Sequence, residues 1–413
     1  MIRISFLWTL FLLAFLSKTS QSRAFLNRRQ RGAGGASPTF KINSEQAVAQ
    51  AQLAQTKGVV AGQASNEKIV PMTAEIGGFA IQFKVSGDAS DLQPAAKNGA
   101  VIRATETTAG DAAAGKGINL LLHGDGGQSF FDFPNKGDQV GLLGVVALAP
   151  NDKMFWGGGG GNQRTDGVLH SKLLDALITN VLPQVIKMDS SKVFFMGISG
   201  GSFLLAGFFL PAFAEKYQSG AILGCGALPP QVQPSANFGK TLETMRIHFQ
   251  TSAQEQDGIQ VTIPQAIVSY LKAATDAQVD KKALAKKLTA DATPKGTHCV
   301  FDGKQFVSGI QLLTDNYSRV IFGDGDIKGI GKVSTSAADN NQKFASGVPV
   351  AKLRNNAAGG VPQGSQLRTA AKGFPQGTQL RSAAGVFPQG TQLRSAAGVF
   401  PQSPQLRNAA VFK

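Results

Sequence analysis

The sequence predicts an α/β protein, a mostly parallel central sheet flanked by helices, followed by a disordered C-terminal repeat tail. Three observations predict it. Lys192 to Pro211 reads as an apolar strand (Val193-Phe194-Phe195-Met196), a turn of Gly197-Ile198-Ser199-Gly200-Gly201 and, at once, a strongly apolar helical segment. Other short apolar runs have the composition of strands buried on both faces, and segments of helical period lie among them. From about residue 347 the chain turns into a tandem repeat with a period of thirteen.

Arg3 precedes an apolar run from Ile4 to Leu16, and small residues follow at Ser17 to Ser22. This pattern predicts a secretory signal peptide over residues 1–22, because a largely apolar run of thirteen residues is too short to span a bilayer. Residues 23–72 read as a processed or loosely packed lead-in. They hold Arg28, Arg29 and Arg31 and an Ala/Gln-rich helix from about Glu45 to Gln55. The formal net charge of +15 belongs to the ends of the chain. Residues 1–31 and 341–413 contain no acid, and between them acids and bases balance. A body without a basic face disfavours a nucleic-acid partner. The two cysteines, Cys225 and Cys299, suit one disulfide in an oxidising compartment, or two buried thiols otherwise.

The folded body is expected over residues 73–325. Phe79–Val85 and Ala100–Ala104 read as its first strands, with a turn at Asn98-Gly99. Ile118–Leu122 is a buried strand that ends in His123-Gly124-Asp125-Gly126-Gly127-Gln128-Ser129. Val140–Ala149 is the next, closed by Pro150, and a run of five glycines follows Trp156. No Lys-Ser or Lys-Thr follows that run, which argues against a phosphate loop. It reads instead as a flexible loop with Trp156 as a substrate-facing wall. Asp166–Ile186 has helical spacing at Leu169, Leu173, Leu177 and Val181, with Pro183 near its end. Strands follow at Ala221–Gly224 and Met245–Thr251. Helices are expected at Pro264–Ala274, with the proline in its first turn, at Lys281–Leu288 and at about Phe306–Val320.

The chemistry-bearing residues sit at the ends of these strands. A strand–Gly-x-Ser-x-Gly–helix turn leaves its serine hydroxyl standing above the sheet, which makes Ser199 the candidate nucleophile. An oxyanion needs two backbone N–H groups aimed at it. Gly200 would supply one, and Asp125 or Gly126 the other. Of four histidines only His248 and His298 follow Ser199, and His248 falls inside a strand. His298 is therefore the candidate base, and His123 reads as structural. An acid must follow a late strand to orient the imidazole. Asp257 is the expected acid and Glu255 the alternative. The order Ser199, Asp257, His298 is that of the α/β-hydrolases. Such chemistry requires no metal and no cofactor.

From about Gly117 to Phe301 the chain resembles the secreted, fungal-type α/β-hydrolase esterases related to polyhydroxybutyrate depolymerases and feruloyl or acetylxylan esterases. The resemblance rests on LLLHGDGGQS, VVALAP to Trp156, the helix before MDSSKVFFMGISGGS, and the final THC. It implies an ester substrate, polymeric or cell-wall-linked, and an acyl-enzyme on Ser199. Some feruloyl esterases join a cysteine beside the nucleophile to one beside the histidine. Here Ile198 precedes the serine, so the resemblance implies Cys225 as a replacement partner for Cys299.

The tail, expected over 326–413, keeps Pro362, Pro375, Pro388 and Pro401 in step with Arg368, Arg381, Arg394 and Arg407. Thirteen residues are too short for a solenoid unit, and the composition buries too little apolar surface to order itself. Its basic charge suits anionic surfaces. Two other functions fit the sequence: an α/β-hydrolase fold that has lost activity and acts as a surface or effector protein, or a carrier for peptides cut from the repeats.

Overall fold

The apolar runs form the inner strands of one sheet. The computed structural model describes residues 67–104, 115–127, 129–130, 141–159, 162–323 and 325–351. The expected signal peptide, the helix at Glu45–Gln55 and the repeats lie outside the described residues. In chain order the strands are β1 (Glu67–Ile76), β2 (Phe79–Asp88), β3 (Val101–Arg103), β4 (Lys116–Leu122), β5 (Leu142–Ala147), β6 (Met188–Ile198), β7 (Gly220–Gly224), β8 (Arg246–Gln250) and β9 (Leu288–Asp291). They lie side by side as β3-β1-β2-β5-β4-β6-β7-β8-β9. β2 is antiparallel to β1 and β5, while β4 to β9 all run parallel. This order, with β4 and β5 exchanged and one antiparallel strand near the edge, is the α/β-hydrolase fold.

The described residues hold nine helices: α1 (Gly167–Ala176), α2 (Leu182–Val185), α3 (Gly200–Leu204), α4 (Leu210–Tyr217), α5 (Phe238–Thr241), α6 (Asp257–Asp276), α7 (Lys281–Lys287), α8 (Phe306–Asp315) and α9 (Tyr317–Ile321). Wider helical turns at Leu177–Val181 and Leu205–Phe209 join α1 to α2 and α3 to α4. Successive strand side chains point to opposite faces, so each inner strand feeds two cores. Leu120, Leu122, Val193 and Phe195 pack with α1, α3, α4 and α6, whereas Leu121, Phe194, Met196 and Ile198 pack with α8 and α9. Both faces are covered, which is why these strands read as unbroken apolar runs. Among the described residues no helix is long and apolar enough to cross a membrane.

Three expectations are corrected. β1 begins at Glu67, inside the expected lead-in, and its Val70, Met72, Ala74 and Ile76 are buried on one face. Pro71, which obscures the strand in the sequence, donates no ladder bond and lends its carbonyl to Gly99 N–H. Helix α6 starts at Asp257, so Pro264 lies inside it and not in its first turn.

The third correction is the body's C-terminal boundary. Residues 326–351 belong with the sheet and not with the tail. β10 (Asp326–Ile327) and β11 (Gly331–Lys332) form a small ribbon. The chain then runs antiparallel along β9: Ala290 N–H donates to Thr335 O (3.0 Å) and Ala337 N–H to Leu288 O (2.9 Å). Asn340 and Gln342 donate side-chain bonds to Ala290 O and Asp291, and Phe344 and Val350 are buried. An uncovered β9 would be an open edge, ready to pair with another chain. A chain ended after Gly325 is therefore expected to lose its cooperative thermal unfolding and to associate, whereas one ended after Ala351 should unfold like the full chain. A transition after Gly325 that matched the full chain in midpoint and sharpness would contradict this.

Candidate active site

Ser199 stands where β6 ends and α3 begins, with φ 49° and ψ −109°. L-residues seldom adopt a positive φ, and such a position costs about 1–3 kcal/mol. Small neighbours permit the turn. A methyl group on Gly197 would lie 2.6 Å from Ser202 N, and one on Gly201 would lie 2.2 Å from Leu122 O. Ser199 N–H donates to Gly224 O (2.8 Å) and Ser202 Oγ to the same carbonyl (2.9 Å), tying the turn to β7.

The hydroxyl of Ser199 lies 2.9 Å from His298 Nε2, and His298 Nδ1 lies 2.6 Å from Glu255 Oε1. A carboxylate can only accept, so Nδ1 carries the hydrogen and Nε2 is left free to accept from the serine. Glu255 is fully buried at its side chain. Oε1 also accepts from Gln256 N–H (2.9 Å), and Oε2 from Thr251 Oγ (3.3 Å). These three residues can relay a proton from serine to imidazole and hold the resulting cation.

Asp257, the expected acid, is not part of this chain of bonds. It is exposed and is the first residue of α6, where an acid complements the helix dipole. Two residues earlier, the buried Glu255 carboxylate accepts from the next amide, Gln256 N–H, and faces the histidine. The loop that holds Glu255 is bonded to the one that holds His298. Ala253 N–H donates to Pro294 O (2.7 Å), and Ser252 Oγ to Thr297 O (2.6 Å). Gln260 bonds Glu255 O and Ser346, from the segment that follows the β9 cover.

Cys225 and Cys299 form a disulfide. It joins the residue after β7 to the residue after His298. Both cysteines have positive φ (49° and 59°). Closing a loop across 74 residues contributes about 4.5 kcal/mol in the chain-entropy account.

Gly200 is the first residue of α3, where N–H groups have no partner within the helix. Asp125 approaches it closely: a methyl group on Gly200 would lie 3.2 Å from Asp125 N. Gly126, the other expected donor, gives its N–H to Met154 O (3.1 Å). Of the expected donors, Asp125 and Gly200 are thus the two whose backbones lie side by side.

Trp156 is not a substrate wall. It is 1% exposed, with its ring 5.5 Å from the His123 ring and 6.0 Å, edge-on, from the His170 ring. Gly157, Gly158 and Gly159 all have positive φ, and Gly158 N–H donates to Phe155 O (3.0 Å) in the turn that follows the indole. The cavity over Ser199 is about 530 Å³, and its walls include Asn162, Arg164, Phe203, Gln256, Ile259 and Phe306. None of these six carries a sequence signal: they come from four separate segments that meet only in the fold.

No protein-family model matches this chain, and no curated protein matches it. Among solved structures it is similar to a protein described as a dienelactone hydrolase from Klebsiella pneumoniae, at 11% identity and a TM-score of 0.38, covering 61% of this chain and 99% of that one. It is also similar to a ferulic acid esterase (11%, 0.35, 60% and 97%) and to an arylesterase (10%, 0.38, 67% and 93%). At such likeness the fold assignment rests on the strand order itself.

The remaining histidines are structural. His123 takes Ala149 N–H on Nε2 and bonds Gly124 O through Nδ1, His170 takes Gly157 N–H on Nδ1, and His248 bonds Thr289 and Gln250. Burial pushes all three from 6.5 down to about 4. The unfolded chain therefore binds more protons between pH 6.5 and about 4, and stability falls as pH falls through that window. Each neutral histidine costs about 3 kcal/mol of stability by the lower end. The melting temperature is expected to be flat above pH 7 and to drop steeply between pH 6.5 and 4. A melting temperature constant across that window would refute the assignment.

Proposed function

We propose that this protein is a secreted serine esterase. Ser199 attacks the carbonyl carbon of a carboxylic ester as His298 Nε2 takes its proton, and Glu255 holds the imidazolium that forms. The tetrahedral oxyanion is met by the N–H groups of Asp125 and Gly200. Collapse expels the alcohol, which takes the proton from His298, and leaves an acyl group on Ser199. Water activated by the same imidazole then releases the acid. The single observation that carries this reading is the unbroken series of bonds from Ser199 through His298 to Glu255.

Phe203, Ile259 and Phe306 beside Asn162 and Gln256 suit an acyl group with an apolar or aromatic body and polar substituents, such as those esterified to polysaccharides. The apolar run Ile4–Leu16 and the Cys225–Cys299 bond support secretion.

Hydrolysis of p-nitrophenyl acetate, then of acetylated and feruloylated sugars and polyhydroxybutyrate, is the test. Ser199→Ala should abolish turnover, and Glu255→Gln should lower kcat by about a thousandfold or more. Asp257→Asn should remain within about twofold of the parent. Equal losses in the two acid variants would refute the roles given to Glu255 and Asp257, and a parent chain without turnover on any ester would refute the esterase.

A further inference from the structure

We propose that Arg164 is a positioning residue for the oxyanion site, acting through Asp125. The proposal rests on the esterase reading above. Arg164 is buried, and arginine is rarely buried unless it is paired. It meets Asp125 in a two-pronged pair: Nη1 donates to Oδ1 (2.7 Å) and Nη2 to Oδ2 (2.8 Å). Nη1 also donates to Trp156 O (3.1 Å), and the guanidinium lies 4.9 Å from the centre of the Phe203 ring, four residues past Ser199. Its stem packs against the position of a Gly157 side chain. The cation is therefore held from three sides, by the loop after β4, the loop after β5 and α3.

The location of Asp125 explains why the pairing matters. A methyl group on Gly200 would lie 2.0 Å from Asp125 Oδ1 and 3.2 Å from Asp125 N, so the carboxylate and the amide both press on the residue beside the nucleophile. The amide there favours an oxyanion, but a bare carboxylate would oppose it. Two negative charges a few ångströms apart in a partly desolvated site repel strongly. Arg164 cancels that charge and leaves the amide to act. It also anchors a loop with glycine on both sides of Asp125, which nothing in its own sequence stiffens.

A simple clamp and a charge-cancelling clamp predict different mutant patterns. Arg164→Gln leaves the carboxylate uncompensated, whereas Asp125→Asn removes it and keeps an acceptor for Nη1. The experiment measures kcat and KM for p-nitrophenyl acetate on full-length Arg164→Gln, Asp125→Asn and the double variant, with near-ultraviolet circular dichroism as the check of folding. Arg164→Gln should lower kcat about a hundredfold with KM changed by less than about threefold. Asp125→Asn should lose less than about tenfold, and the double variant should regain at least about tenfold over Arg164→Gln. Equal losses in the two single variants, no recovery in the double, or an Arg164→Gln kcat within about threefold of the parent would each overturn the proposal. If Arg164→Gln does not fold, the other two decide. Losses beyond about a hundredfold in Asp125→Asn or in the double variant overturn it, and smaller losses support it. A parent chain inactive on esters is a separate result, which defeats the esterase reading and this proposal with it.

Discussion

Ser199 holds a backbone conformation that an L-residue avoids, and the rest of the site is arranged around keeping it there. The strain of about 1–3 kcal/mol must be offset by the packing on either side. Below it, β6 is locked between β4 and β7. Above it, α3 presses on the strand so closely that Gly197 and Gly201 leave no room for a side chain. The same crossing places the first amide of α3, which has no partner within the helix, beside the serine, where the proposed mechanism uses it as an oxyanion donor.

The other groups arrive on the carboxyl ends of parallel strands, the end at which open α/β sheets build their sites. Asp125 follows β4, Glu255 follows β8 and His298 follows β9. Each loop is cross-tied. Arg164 holds the first, the Cys225–Cys299 bond and Thr297 O hold the last, and Ser346 with Gln260 holds the second from the C-terminal side. The histidine thus sits between two fixed neighbours, which is the preorganisation that nucleophilic catalysis needs.

Much of this was legible in the chain. Strands buried on both faces announce themselves as short apolar runs, and the Gly-x-Ser-x-Gly turn between β6 and α3 can be read with its context. Chain order singled out His298. What stayed hidden depends on where backbones turn. Glu255 and Asp257 differ by two residues, yet the first is buried just before α6 and the second is exposed as its first residue. Trp156 is buried against His123 and His170, which lie 33 residues before it and 14 after it in the chain. Residues 326–351 have a largely polar composition, and their bonds to β9 are ones that no local pattern reveals. Arg164 stands alone after a glycine run, and only the fold brings it to Asp125.

The central claim is that Ser199 is an activated nucleophile, and its reaction with a fluorophosphonate tests that most directly. Full-length protein exposed to a small excess of reagent should gain one adduct by intact mass, mapped to the peptide holding Ser199, and Ser199→Ala should gain none. A folded chain that stays unlabelled, or takes the label elsewhere, would contradict the account.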